Sequence, residues 1–567
     1  MAAYFDFHCH PSFKSALNHF DVDRCPSPWK DVEFSQNLCG IFSNFDELVG
    51  DSFDSQSSFN QIKANGTGCL VVVNLLAFER AYTFVKPFQN VDGLDFEVIK
   101  QIGEQKISYF DYLRTRMWTH LKRFNNDVQA DDWKYRIIQS MREYPRVPEE
   151  KTIYVLLGIE GAHNFYTSKT LVDQDPEAVI QNLRDWKKES VDHPDDFPRL
   201  FYITLTHHAQ NLLTNHAWAI PPFFAPAGAN NPNNLPTGQF NPREDGLTEA
   251  GKRFIRTALR QENGQKRILI DLKHMSLRAR LQYYDLLRED EFIDANIPVL
   301  ASHMAMTGTP LLNPSLESTL EDPRLPGIIF GKAARVPGVL LHNRNLSRSD
   351  LAIGFNPWSI NLFDEEIVEI IASGGLIGIS LDARILGQNF EGQLAGTGER
   401  FSVREFATYG DGWKDDRPFD QDKYPGEVQR IAIDDHGPEF SRWHFCLNVI
   451  HVVLTIELAR RDPQTRAARK IRDQNIDPWV HLCLGSDYDG LITALNGCKS
   501  AADLANSTNG LFSSETKRVL IQLQSILNAF YASNASPAPG MFIGVPDDVI
   551  DLLRLDNAVR FLRAHFA

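Results

Sequence analysis

Residues 267–276 read Arg267-Ile268-Leu269-Ile270-Asp271-Leu272-Lys273-His274-Met275-Ser276. The aliphatic run Ile268-Leu269-Ile270, resumed at Leu272, marks a buried strand, and Ser276 opens a helical pattern over 276–289. His274 therefore stands where a strand gives way to its loop. The next such run, residues 297–302, ends the same way, at Ser302-His303. Two histidines at equivalent ends of neighbouring parallel strands would point into one mouth. Outward from this pair, six further runs read as strands: 4–8, 68–74, 153–159, 201–206, 376–381 and 481–485. Helical patterns at 176–190, 248–262, 364–373 and 443–461 alternate with them. Eight such units predict an α/β fold, a (β/α)8 TIM barrel whose strand ends collect functional groups at the C-terminal mouth.

The chain has 567 residues, 43% hydrophobic and 23% charged, an ordinary globular composition. A barrel with insertions reaches this length, so residues 1–567 are expected to form a single barrel domain. Its insertions fall near 91–148, 217–246, 304–357 and 384–441. The first carries Arg, Trp and Tyr at helical spacing and is expected to add packed helices. The second is dense in Pro, Asn and Gly and is expected to be a loop without regular structure. The last two read as long and irregular, and each follows a strand. They are expected at the mouth as lids or binding walls.

Lys+Arg 58 against Asp+Glu 73 gives a net charge of −15. Such a chain lacks the footprint of a duplex nucleic-acid binder and does not favour an anionic membrane surface. Its longest apolar runs fall short of the ~20 residues that span a bilayer. No basic segment followed by an apolar one opens the sequence, so no signal peptide is expected. The seven cysteines are scattered without a Cys-x-x-Cys pair, which predicts reduced thiols and a cytoplasmic location. The expected partner is a small-molecule substrate, and a homo-oligomer is compatible with the composition.

The first strand reads Tyr4-Phe5-Asp6-Phe7-His8-Cys9-His10, and alternation puts Asp6, His8 and His10 on one face. The third closes Leu157-Gly158-Ile159-Glu160, and an acid closing an aliphatic run is costly to bury unless paired or metal-bound. The two oxygens of Glu160 could bridge two ions. The fourth ends Thr206-His207-His208, with one histidine expected to face the cavity. The eighth ends Gly485-Ser486-Asp487-Tyr488-Asp489-Gly490, with Asp487 nearest the strand and Asp489-Gly490 suited to a turn. Each residue alone has a bland reading, as a satisfied core histidine or a capping or ion-paired carboxylate. Together they close strands one, three, four, five, six and eight, which predicts a metal centre. Imidazole and carboxylate without thiolate suit zinc or another borderline divalent ion. Two such sites would activate a water and polarise an amide carbonyl.

These motifs resemble the membrane (renal) dipeptidase family of metal-dependent amidohydrolases. The matching segments are Gly158-Ile159-Glu160-Gly161-Ala162-His163, Tyr202-Ile203-Thr204-Leu205-Thr206-His207, Gly246-Leu247-Thr248-Glu249-Ala250-Gly251, Leu269 to Ser276, Val299-Leu300-Ala301-Ser302-His303 and Gly485 to Gly490. They follow the family's order, whereas the insertions do not match it. The resemblance implies a binuclear zinc hydrolase of dipeptides. In it Glu160 would bridge the metals, His274 and His303 would bind one, and His8 with His10 the other. His207 would touch the substrate or its tetrahedral oxyanion. Asp487 would take the proton of the attacking water and pass it to the leaving amine.

Two departures stand out. The family has His-x-Asp where this chain has His8-x-His10, so one negative charge is missing from the second site. The family also places an arginine, which pairs with the substrate carboxylate, where this chain has Ile360. Arg335 or Arg344 in the following-strand insertion is the candidate replacement. Without one, the expectation is a relative preference for C-terminally neutral amides. Other readings keep the barrel and metal but change the reaction to that of a deaminase, lactonase or phosphoester hydrolase, or leave a non-catalytic metal-binding protein. Thr206-His207, rather than a lysine, at the end of strand four argues against the lactonase type. An acid placed as Asp487 is has no use in a purely structural site.

Overall fold

All eight expected runs are strands: β1 (Phe5–Cys9), β2 (Leu70–Leu75), β3 (Thr152–Ile159), β4 (Leu200–Thr204), β5 (Leu269–Asp271), β6 (Leu300–Met304), β7 (Leu376–Ile379) and β8 (Leu482–Leu484). This computed structural model describes residues 3–36, 52–80, 82, 91–167, 174–209, 211–219, 242, 245–311, 316–321, 328–333, 338–343, 351–387, 399–402, 429–433, 439–461, 463–504, 510–534 and 544–567. The strands lie in parallel in chain order. Every residue of β3 is buried, as expected of a parallel sheet covered on both faces.

The ring closes between β1 and the residues just past β8. Asp487 N donates to His8 O (2.8 Å) and His10 N to Tyr488 O (2.9 Å). The Asp6 carboxylate reinforces this seam by accepting from Ser486 N (2.9 Å) and Ser486 Oγ (2.5 Å). At the mouth the strands come so close that a Cβ on Gly485 would lie 1.8 Å from Ser302 O, which only glycine avoids.

Local sequence sets the corners. Asp175 caps α2 (Pro176–Asp192) through Glu177 N, with Pro176 in the first turn, after the shorter α1 (Phe96–Gly103) of the first insertion. Thr248 caps α3 (Glu249–Leu259) and Ser276 caps α4 (Leu277–Leu287). The Ser276 cap fixes the turn that carries His274. Further along lie α5 (Asp364–Ala372) and α6 (Glu439–Arg461). No helix among the described residues is long and apolar enough to cross a membrane.

The first insertion contains the expected helices, and adds a strand, Lys134–Ile137, parallel to β3. Of the second, residues 220–241 and 243–244 lie outside the described residues. The last two differ from their irregular expectation. They share two three-stranded sheets. Ile328–Ala333 lies between Leu316–Glu321 and Glu399–Ser402, and Gly338–Asn343 lies between Leu351–Gly354 and Gln429–Ile433. Each sheet draws two strands from the loop after β6 and one from the loop after β7. The segment after β6 forms two antiparallel pairs of its own, and the third strand of each sheet comes from the loop after β7.

Candidate active site

Glu160 lies one residue past β3, 1% exposed, and imidazoles surround it. His10 Nε2 is 3.1 Å from its Oε2. Around Oε1 stand His274 Nε2 at 3.2 Å, His8 Nε2 at 3.5 Å, His303 Nε2 at 3.7 Å and His207 Nε2 at 3.9 Å. The Nε2 atoms of His8 and His10 are 3.0 Å apart. Asp487 closes the open side, its Oδ1 3.9 Å from His8 Nε2 and 3.8 Å from His10 Nε2, its Oδ2 3.9 Å from His303 Nε2. The barrel thus brings together His8, His10, Glu160, His207, His274, His303 and Asp487. Arg335 and Arg344 lie outside the described residues.

The rings are aimed from behind. His8 Nδ1 meets Tyr202 Oη at 2.8 Å, and His10 Nδ1 meets the Asn74 carbonyl at 3.1 Å. Ser302 Oγ contacts His303 Nδ1 at 2.7 Å and donates to Asp271 Oδ2 at 2.6 Å. Such partners orient ligating rings toward a common centre. His274 and Asp487 carry left-handed backbone, φ 64° and 63°. For residues with a Cβ this costs about 1–3 kcal/mol each, strain that collects at functional sites.

The donor set fits a divalent metal. Burial pushes His8 down to about 4 and His274 to about 3, and holds His303 well below the usual imidazole range. These rings are neutral, as ligation requires. Burial alone would raise Glu160, but His207 and the rings of His8, His10 and His274 hold it well below its ordinary value. His303 Nε2 is buried, faces this cluster, and has no hydrogen-bond partner. Three groups of donors fall within metal-binding reach of one another: His8 with Glu160 and His303, His8 with His10 and Asp487, and His207 with His208 and His274.

Several participants were missed in the sequence. Glu79, in the loop after β2, accepts from His207 Nδ1 at 2.8 Å and from His208 N at 2.9 Å. Burial works against charge on both partners, and their attraction outweighs it. Glu79 is held down to about 2 and His207 is raised. Once protonated, His207 donates through Nε2 as well as to Glu79. Both His207 and His208 line the cavity, where one was expected, and His208 is held by the Tyr82 hydroxyl. The loop after β7 contributes Asp382 and Arg384, which form a forked pair. Asp489, read as a turn residue, is a buried anchor that pairs with Lys14 at 2.8 Å and accepts from Ser57 N.

Above the floor lies a cavity of roughly 1080 Å³, counting the solvent it opens to. Its wall is mostly apolar, with Phe53, Phe78, Trp358, Ile360 and Ile385. Asp487 keeps 15% of its side-chain exposure whereas Glu160 keeps 2%, so Asp487 is the acid within reach of a bound molecule. Burial first, then the charge of Glu160, raises it well above the carboxylate range.

No family model matches the chain, and no curated protein does. Among solved structures it is similar in fold to an amidohydrolase from Pseudomonas aeruginosa, with 13% identity, 100% of this chain and 97% of that one covered, and a TM-score of 0.39. It is also similar to a dipeptidase described as a metallopeptidase of family M19, with 12% identity, coverage of 100% and 99%, and a TM-score of 0.45. A metallopeptidase from Rhodobacter sphaeroides, liganded with a phosphinate mimic of the dipeptide L-Ala-D-Ala, aligns at 12% identity, 100% and 99% coverage and a TM-score of 0.42.

Proposed function

We propose that this protein is a metal-dependent hydrolase of small amides, dipeptides first among them. The observation that carries this is the convergence of four imidazole Nε2 atoms on one buried carboxylate, Glu160, beneath a cavity that also presents Asp487 and His207. His8, His10, Glu160, His274 and His303 would hold zinc or a similar divalent ion, with Glu160 shared between two. When bound, such ions make a water acidic near neutral pH and polarise a carbonyl.

The remaining work falls to the chain. Asp487 is the exposed acid of the cluster and takes the proton of the attacking water. It then returns that proton to the leaving nitrogen, the step without which an amine cannot depart. His207, held by Glu79 with Nε2 outward, donates to the carbonyl oxygen as negative charge builds there. The apolar wall excludes water from the substrate's side chains.

A panel of dipeptides, amides, lactones and phosphoesters, run on purified protein with metal analysis, tests the assignment. Metal-dependent release of amino acids from at least one dipeptide is the expected result. Turnover confined to lactones or phosphoesters would move the protein to another reaction on the same barrel. No turnover with stoichiometric metal would make it a metal-binding protein.

A further inference from the structure

Two cationic side chains other than histidine, Lys273 and Arg384, line the cavity among the described residues. Arg384 is already committed. Its Nε lies 3.0 and 3.2 Å from the two Asp382 oxygens, and its Nη2 lies 2.6 Å from Oδ2 and 3.2 Å from Leu491 O. Lys273 is not. Its side chain is buried, with the residue 1% exposed, it faces the cavity, and Nζ has no hydrogen-bond partner.

Other buried lysines of this chain show what a structural one looks like. Lys187 Nζ donates to the carbonyls of Thr257 (2.7 Å), Ala258 (3.1 Å) and Arg260 (2.7 Å), closing the end of α3. Lys14 pairs with Asp489 and donates to Asp54 O. An ammonium buried without such acceptors is costly, and an acceptor delivered by a ligand would relieve it. Asp487 and Asp382 supply a balancing field but no close contact. Ile360, on the same wall, offers no charge.

We infer that Lys273 is the anchor for an anionic group of the substrate, a free carboxylate on the small amide that the cavity takes. This deepens the hydrolase proposed above and rests on it for the word substrate. It replaces the expected preference for C-terminally neutral amides with the opposite one. It also frees Arg335 and Arg344 from the task.

Binding and turnover are tested separately. Calorimetry of metal-loaded protein with N-acetylalanine and N-acetylalaninamide reads the anchor without chemistry. Wild type should bind the acid about 10–100-fold more tightly than the amide, the range of a charge-assisted contact. Lys273→Met should bring that ratio close to one, and Lys273→Arg should restore part of it. A ratio unchanged in Lys273→Met, or wild type favouring the amide, overturns the inference. So does an equal loss for both probes accompanied by a lower melting temperature, because that is the mark of a structural lysine. The same ratio is then read in kcat/KM for one dipeptide with a free and an amidated carboxyl. Should metal-loaded wild type cleave neither, the hydrolase assignment fails while the calorimetric ratio still decides Lys273.

Discussion

At the floor of the cavity, His8, Glu160, His274 and His303 sit on barrel strands or within a few residues of their ends, each at most 3% exposed. The orienting contacts of His8 and His303 come from Tyr202, Ser302 and Asp271, all on barrel strands. On the wall, Trp358 and Ile360 come from the segment after β6 and pack with Trp218, while Ile385 follows β7. Directional bonds hold the floor and dispersion holds the wall. Moving one donor of the floor by an ångström destroys a coordination set. Reshaping the wall changes only what fits. The floor should therefore govern rate and metal, and the wall should govern affinity.

Four substitutions probe this division. Glu160→Gln should have the largest effect, abolishing nearly all turnover and lowering bound metal, since an amide neither bridges two cations nor offsets their repulsion. Wild-type metal content with wild-type turnover would remove Glu160 from the centre. Next, Asp487→Asn should lose roughly 10²–10⁴-fold in kcat with much smaller loss of metal. If reloading the variant with metal restores the wild-type rate, Asp487 is a ligand rather than a proton carrier.

The wall should respond differently. Ile360→Ala is expected to cost about 2 kcal/mol of stability and to raise KM several-fold, leaving kcat within about threefold. A collapse of kcat there would erase the distinction between floor and wall. The smallest effect concerns the seam. Burial raises the Asp6 carboxyl from 3.8 to about 7. A carboxyl raised on folding contributes stability that is intact below its unfolded pKa and lost as pH rises through the folded one. Melting temperatures of metal-free wild type should thus fall relative to Asp6→Asn between pH 4 and 7.5. Parallel curves would show that Asp6 is ionised throughout.

The sequence revealed the floor because a strand end is a marked place. An aliphatic run that stops at His303, or at Glu160, announces both the element and the mouth. Glu79 carries no such mark. It follows Leu75-Leu76-Ala77-Phe78, past the end of β2, and its partner His207 lies on another strand's loop. Lys273 was masked by His274 beside it, Asp382 by falling just past the expected strand, and Arg384 by being taken as the start of an insertion. The two small sheets were hidden for a related reason. Their strands are completed by Glu399–Ser402 and Gln429–Ile433, which belong to the next loop of the barrel. Local pattern shows what a segment prefers, and these preferences are decided by segments far along the chain.

The seam between Asp6 and Ser486 joins residues 480 positions apart. On the ribosome β1 is made well before β8, so one of its edges stays open until β8 has emerged. At synthesis rates of roughly 5–20 residues per second, that wait is on the order of half a minute to two minutes. Asp487 belongs to the same late segment, so the cluster around Glu160 lacks its last acid for as long as the ring is open. Contacts of such long range also make folding slow. An open, apolar parallel edge held for that time is a hazard for self-association. Production of this protein should therefore benefit from chaperones that shield the open edge of nascent β1.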